Sequence, residues 1–181
     1  MINQNLYFVK AKINKEWLNE RNNAQGLESD WVEGCLEITN DRKGMWQYRV
    51  KPPESYLFAF PIESDTICKS TGFKDYNDYI IYAKDIVEIT STDGMSTQYL
   101  LWWNQEMSMM TAIPLDELEF NGTDYYCSNP HFKYETFCFM MQNPYGNFEK
   151  VKIIGNILDN PQLIDLLKIK YPEIDKEDNE R

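Results

Sequence analysis

Three groups of side chains in this 181-residue chain are of types that could do chemistry. The sole histidine, His131, lies between Cys127 and Cys138. An imidazole beside a thiol can activate a nucleophile, and Cys and His are also the usual zinc ligands. Asp75, Asp78 and Asp85 offer closely spaced carboxylates, the oxygen donors a hard cation takes. The segment DELEFNGTD, residues 116–124, invites comparison with a calcium-binding loop.

Each group has a cheaper structural reading. A closed zinc site takes four ligands, and no second paired element accompanies Cys127, His131 and Cys138. His131 follows Pro130 within the turn signal SNPHF, and no motif supplies a group to orient it as a base toward Cys127 or Cys138. Leu118 stands where a calcium loop requires an oxygen ligand. The three aspartates read as a turn residue, a positive-φ residue and a strand-start residue. The sequence therefore predicts no catalytic residue, no cofactor and no metal. NGT at Asn121 matches a glycosylation sequon, which has meaning only in a secreted protein.

Composition narrows the partners. A net charge of −11 argues against a surface that neutralises nucleic-acid phosphates, so no direct nucleic-acid binding is expected. Carboxylates cluster in the tail EIDKEDNER and in IPLDELEF, so the body is acidic too. The acid reads first as a solubilising surface, and otherwise as mimicry of nucleic acid or a face for a basic partner. Cys35, Cys68, Cys127 and Cys138 have no CxxC pair and no disulfide spacing, so they read as small buried hydrophobes in a reducing compartment. The N-terminus lacks a basic region followed by a long apolar stretch, and the apolar runs are only a few residues long. No membrane association is expected, and the predicted location is cytoplasmic.

The elements that would position these residues are mostly strands. Turn signals recur at NDRKG (40–44), TDG (92–94), NG (121–122), SNP and NPYGN. The runs between them are rich in aromatic and β-branched residues, several alternating with period two, such as Cys35 and Glu37 against Leu36 and Ile38. This pattern predicts a mainly β fold, a barrel or sandwich. Two helices are expected. One starts at Asn14 and ends at Gly26, with Trp17 and Leu18 as its apolar content. The other runs over about 161–171, with Asn160 as cap, Pro161 at the first helical position and Pro172 as stop. Residues 172–181 read as an acidic tail.

The most informative stretch is STGFKDYNDYIIYAKDIVEIT, Ser70 to Thr90. It reads as an extended piece ending near Phe73, a turn at Asp75 to Asp78, the strand YIIY, a bend at Ala83 to Asp85 and the strand IVEIT. A two-residue type I′ turn through Asn77-Asp78 would need positive φ at both residues, and Asp and Asn tolerate it best after glycine.

The stretch resembles the pattern YTGLKDKNGKEIYEGDIV of the YopX family, small proteins encoded largely by phages and prophages. DWVEGCLEI at 30–38 resembles the family's EWVYGYLI, and KIIGNILDNPQL resembles VIGNIYENPEL. The three segments keep the family's order and cover roughly residues 28–165. The hairpin glycine is replaced by Asp78, and Glu-Gly before the strand is replaced by Ala83-Lys84. The resemblance implies a strand-dominated domain over 1–171. It also implies additional N-terminal strands over about 1–62, an SH3-like barrel over about 63–158, and no assigned activity.

The strand TQYLLWW raises a binding question. Tyr99, Leu101 and Trp103 share one face, and Leu100 and Trp102 share the other, so both faces are apolar. Either both are covered within one chain, or the face of Tyr99, Leu101 and Trp103 contacts a protein partner or a second copy. Trp103 is expected to be the outer tryptophan, because it shares a face with Tyr99. The sequence thus favours a non-enzymatic role exercised through protein contact or self-association. An acidic decoy that occupies a host DNA-binding protein comes second and an uncharacterised enzyme third.

Overall fold

In the computed structural model, the described residues are 8–20, 29–40, 45–54, 58–105, 108–122, 124–128, 141 and 148–164. The expected features at His131, Pro130 and Cys138, the helix end at Gly26, the helical residues beyond Ile164 and the tail lie outside them. The chain divides into two compact units, Met1–Phe73 and Lys74–Arg181. No helix among the described residues is long and apolar enough to cross a membrane.

The first unit is built on an antiparallel sheet. Its strands are β1 (Phe8–Lys12), β2 (Trp31–Asn40), β3 (Trp46–Lys51), β4 (Phe60–Pro61) and β5 (Cys68–Lys74), in the spatial order β4-β3-β2-β1-β5. Alternation sends Val9, Ala11, Val32 and Val50 to one face, where they bury with Ile13 and Ile62. Trp17 and Leu18 pack on this core from helix α1 (Lys15–Glu20). The helix starts after Asn14 as expected, and Asn14 caps it, its Oδ1 accepting the Trp17 N–H at 3.0 Å.

The second unit holds β6 (Ile80–Tyr82), β7 (Asp85–Ser91), β8 (Ser96–Asn104), β9 (Met109–Pro114), β10 (Leu118–Phe120), β11 (Tyr125–Cys127) and β12 (Phe148–Asn156). Four of them form an antiparallel sheet in the order β12-β7-β8-β9, and β10 pairs with β11 as a hairpin. The TDG and NG signals both turn where expected, between β7 and β8 and between β10 and β11. Pairing of β12 with β7 shifts register twice, between Phe148 and Lys150 and between Ile153 and Gly155. Such bulges bend a strand and increase its twist. Ile86, Leu100, Ile113, Leu115, Leu118 and Ile164 form the core.

The turn at 75–79 differs from the two-residue form. Asp78 alone in this loop has positive φ, 72°. The Asp78 N–H donates to the Asp75 carbonyl at 3.0 Å, and the Asp75 N–H donates to the Tyr79 carbonyl at 2.8 Å. This is the three-residue loop in which a turn is followed by one left-handed residue. The buried Asp75 side chain decides it, because Oδ1 accepts the N–H groups of both Asn77 (2.8 Å) and Tyr79 (3.0 Å). Asp78 points outward, and among the described residues its carboxylate meets only Lys74 Nζ, at 2.8 Å. Asp78→Gly should thus change stability by less than about 1 kcal/mol, since an exposed ion pair contributes little and glycine relieves the left-handed strain. A larger loss in a urea titration would assign the carboxylate a role this geometry lacks.

The second helix departs from expectation in its cap. Among the described residues helical geometry covers 162–164, and the Asn160 side-chain oxygen turns back to accept the Asn156 N–H at 3.5 Å. The chain must close a turn over residues 156–160 before the helix begins, and this competes for the cap's acceptor.

Candidate functional site

The three aspartates that could have been ligands are separated by their roles. Asp75 extends the edge of the four-stranded sheet. Its Oδ2 accepts the Ile153 N–H at 3.4 Å, and the Tyr76 N–H donates to the Val151 carbonyl at 2.9 Å. The loop thereby occupies backbone groups of β12 that would otherwise be open to another strand. Tyr76 also lies under Lys150, whose Nζ is 3.7 Å from the ring centroid.

Asp85 begins β7, as expected, and is 1% exposed. Its Oδ2 accepts the Tyr82 N–H and its Oδ1 accepts the Asn156 Nδ2–H, both at 2.8 Å. Asn156 in turn accepts the Leu158 N–H at 2.9 Å. Lys84, with φ of 70°, completes the bend: its N–H donates to Leu101 and its carbonyl accepts from Ile157. Asp85 and Asn156 thus tie the bend before β7 to the end of β12. Among the described residues no group of His, Cys, Asp and Glu could hold a metal ion.

Of the thiols, Cys68 is buried and Cys35 and Cys127 are half-buried. Cys127 Sγ donates to Glu117 Oε2 at 3.1 Å. An activated thiol sits in electropositive surroundings, and this neighbour is a carboxylate.

Strand β8 runs as expected, and its centre is covered on both faces. Leu100 and Leu101 are each 0% exposed. Leu101 pairs with the buried Ala112 across the sheet and adds no accessible surface to a contact face. Tyr99 and Trp103 are half-buried, and so is Trp102, which packs on the core. The expected contact set Tyr99, Leu101 and Trp103 has lost its middle member to the interior.

Beside Trp102 lies a cleft of about 180 Å³, which the sequence did not reveal. Trp102 and Tyr125 form two of its walls, their rings 5.1 Å apart and at 71°. The Asn121-Gly122 turn places Asp124 at the rim. The Asp124 N–H donates to Asn121 Oδ1 at 2.8 Å, and Trp102 Nε1–H donates to Asp124 Oδ1 at 3.4 Å. Tyr126 also lines it, its hydroxyl donating to Glu119 Oε2. That bond raises the phenol pKa above its ordinary value, with smaller contributions from desolvation and the Glu119 charge, so the group stays neutral. The sequence marks the turn but not the meeting of Asp124 with Trp102, 22 residues away in the chain.

A model of the family described as YopX protein matches residues 1–165. The chain belongs to the YopX family. It is similar to the protein yopX from Bacillus subtilis in its X-ray crystal structure, with 15% identity, a TM-score of 0.39, and coverage of 88% of this chain and 98% of that one. No curated protein matches it. In this YopX-family chain the segments that carried the resemblance hold Asp75, Asp85 and Asn156, the residues whose side chains tie the backbone of the second unit together.

Proposed function

We propose that this YopX-family protein is non-enzymatic and acts by binding another protein through the far end of the β2–β3 hairpin. One observation carries the reading. The apolar face of β2 continues past the core it covers: Val32 is 7% exposed, Leu36 half-buried and Ile38 48% exposed. Its cross-strand neighbour Tyr48 is half-buried, and Met45, just before β3, is 60% exposed. An apolar strand face extended beyond its own core is what a partner would cover. The partner is a different protein, because a second copy would bring the same charge of −11.

The resemblance to phage and prophage proteins supports a role inside the bacterial host cell. The antiparallel β7-β8-β9 run, followed by the 3-10 turn Leu115–Glu117, supports reading the second unit as an SH3-like barrel.

A photocrosslinking residue at Ile38 should capture one protein in cells that express the chain. The same residue at Glu33, exposed on the opposite face of the same strand, should not. Absence of any adduct at Ile38, or equal adducts at both positions, would refute the hairpin surface. A self-adduct would refute the choice of a different protein.

A further inference from the structure

The cleft beside Trp102 has the chemistry of a cation receptor, and we propose that it accepts a single arginine guanidinium presented by a protein. Trp102, Tyr125 and Tyr126 line it among polar side chains, and the Trp102 and Tyr125 rings meet at a near-perpendicular angle rather than as a parallel slot that would sandwich a base. Ring faces are electron-rich and attract cations, most strongly where water is partly excluded. At the rim stands the Asp124 carboxylate. Its Oδ1 is held by the Trp102 indole, and its Oδ2 has no partner among the described residues. Gln105 and Asn104 bring carboxamides to the same space.

Charge and size narrow the guest. None of the described residues lining the cleft is Lys, Arg or His, so none of them would neutralise an anion. The chain's charge of −11 repels anions and draws cations from a distance. The volume of about 180 Å³ is smaller than the pockets that take drug-sized ligands, and suits the head of one side chain. Between the two basic side chains, guanidinium fits better. It is planar and weakly hydrated, stacks on a ring and offers a fork of N–H donors to a carboxylate, whereas ammonium holds its water more strongly.

The inference rests on the protein-contact reading only for the source of the guanidinium, and it uses a surface of the other unit. N-acetyl-arginine amide should shift the Trp102 indole N–H resonance, assigned by its loss in Trp102→Phe. N-acetyl-citrulline amide, which is nearly isosteric but neutral, should bind about tenfold more weakly or not at all, because the charge-assisted bond is missing. N-acetyl-lysine amide should fall between them. Asp124→Asn should weaken arginine binding by about the same factor. Asp116→Asn, an exposed acid outside the lining, should leave it nearly unchanged. Equal binding of arginine and citrulline, or equal effects of the two Asp→Asn changes, would overturn the site. Loss of the Ile38 adduct would leave these titrations unaffected, so the two readings fail separately.

Discussion

Gly34→Ala should destabilise the protein by about 3 kcal/mol or more, the largest loss expected from adding a methyl group at any of the described glycines. An ideal Cβ at Gly34 would stand 2.1 Å from the Lys51 carbonyl oxygen and 2.6 Å from its carbon. Both are backbone atoms, so no side-chain rotation relieves the clash. Gly34 also pairs with Val9 of β1, so β2 is held from the other side and cannot move away freely. The consequence is separation of β2 from β3 at the edge of the core formed by Val9, Val32 and Val50. Gly72→Ala is the contrasting case. A Cβ there meets nothing within 4 Å, and only its φ of 81° opposes the change, at a cost of about 1 kcal/mol. Urea unfolding of both variants tests the difference. A Gly34→Ala loss no larger than that of Gly72→Ala would mean that β3 yields at Lys51 without cost.

Asp85→Ala should cost about 3 to 5 kcal/mol, from two buried donors left without an acceptor at roughly 1–3 kcal/mol each. The Tyr82 N–H and the Asn156 Nδ2–H both end on this carboxylate. Tyr82, Asp85 and Asn156 are nearly inaccessible, so water cannot replace the lost oxygens without opening the turn. Asp85→Asn keeps one acceptor oxygen and should cost about half as much. Asp78→Gly, seven positions earlier in the chain, should be close to neutral. Thermal or urea unfolding of the three variants gives an ordered series. An Asp85→Ala loss below about 1.5 kcal/mol would show that the bend before β7 does not depend on this side chain.

How much of this was legible in the amino-acid order depends on the range of the interaction concerned. Strands β2, β7, β8 and β12, the helix start at Asn14 and the TDG and NG turns could be read directly, because alternation and turn chemistry act within a few residues. The positive φ of Asp78 was legible for the same reason. The turn type around it was not, since the Asp75 carboxylate selects a longer loop by gathering two N–H groups and then reaching Ile153, 78 positions away.

The apolar character of both faces of β8 was visible in TQYLLWW, but whether partner or interior covers them is a property of the packed chain. Leu101 went to the interior, while Ile38 on β2 is left exposed. The cleft needed still more. Asp124 and Trp102 come together only after β8 has paired in its sheet and the β10–β11 hairpin has folded. Local chemistry thus determined where the chain extends and turns. Long-range packing decided which side chains meet, because that energy exists only once distant segments are in contact.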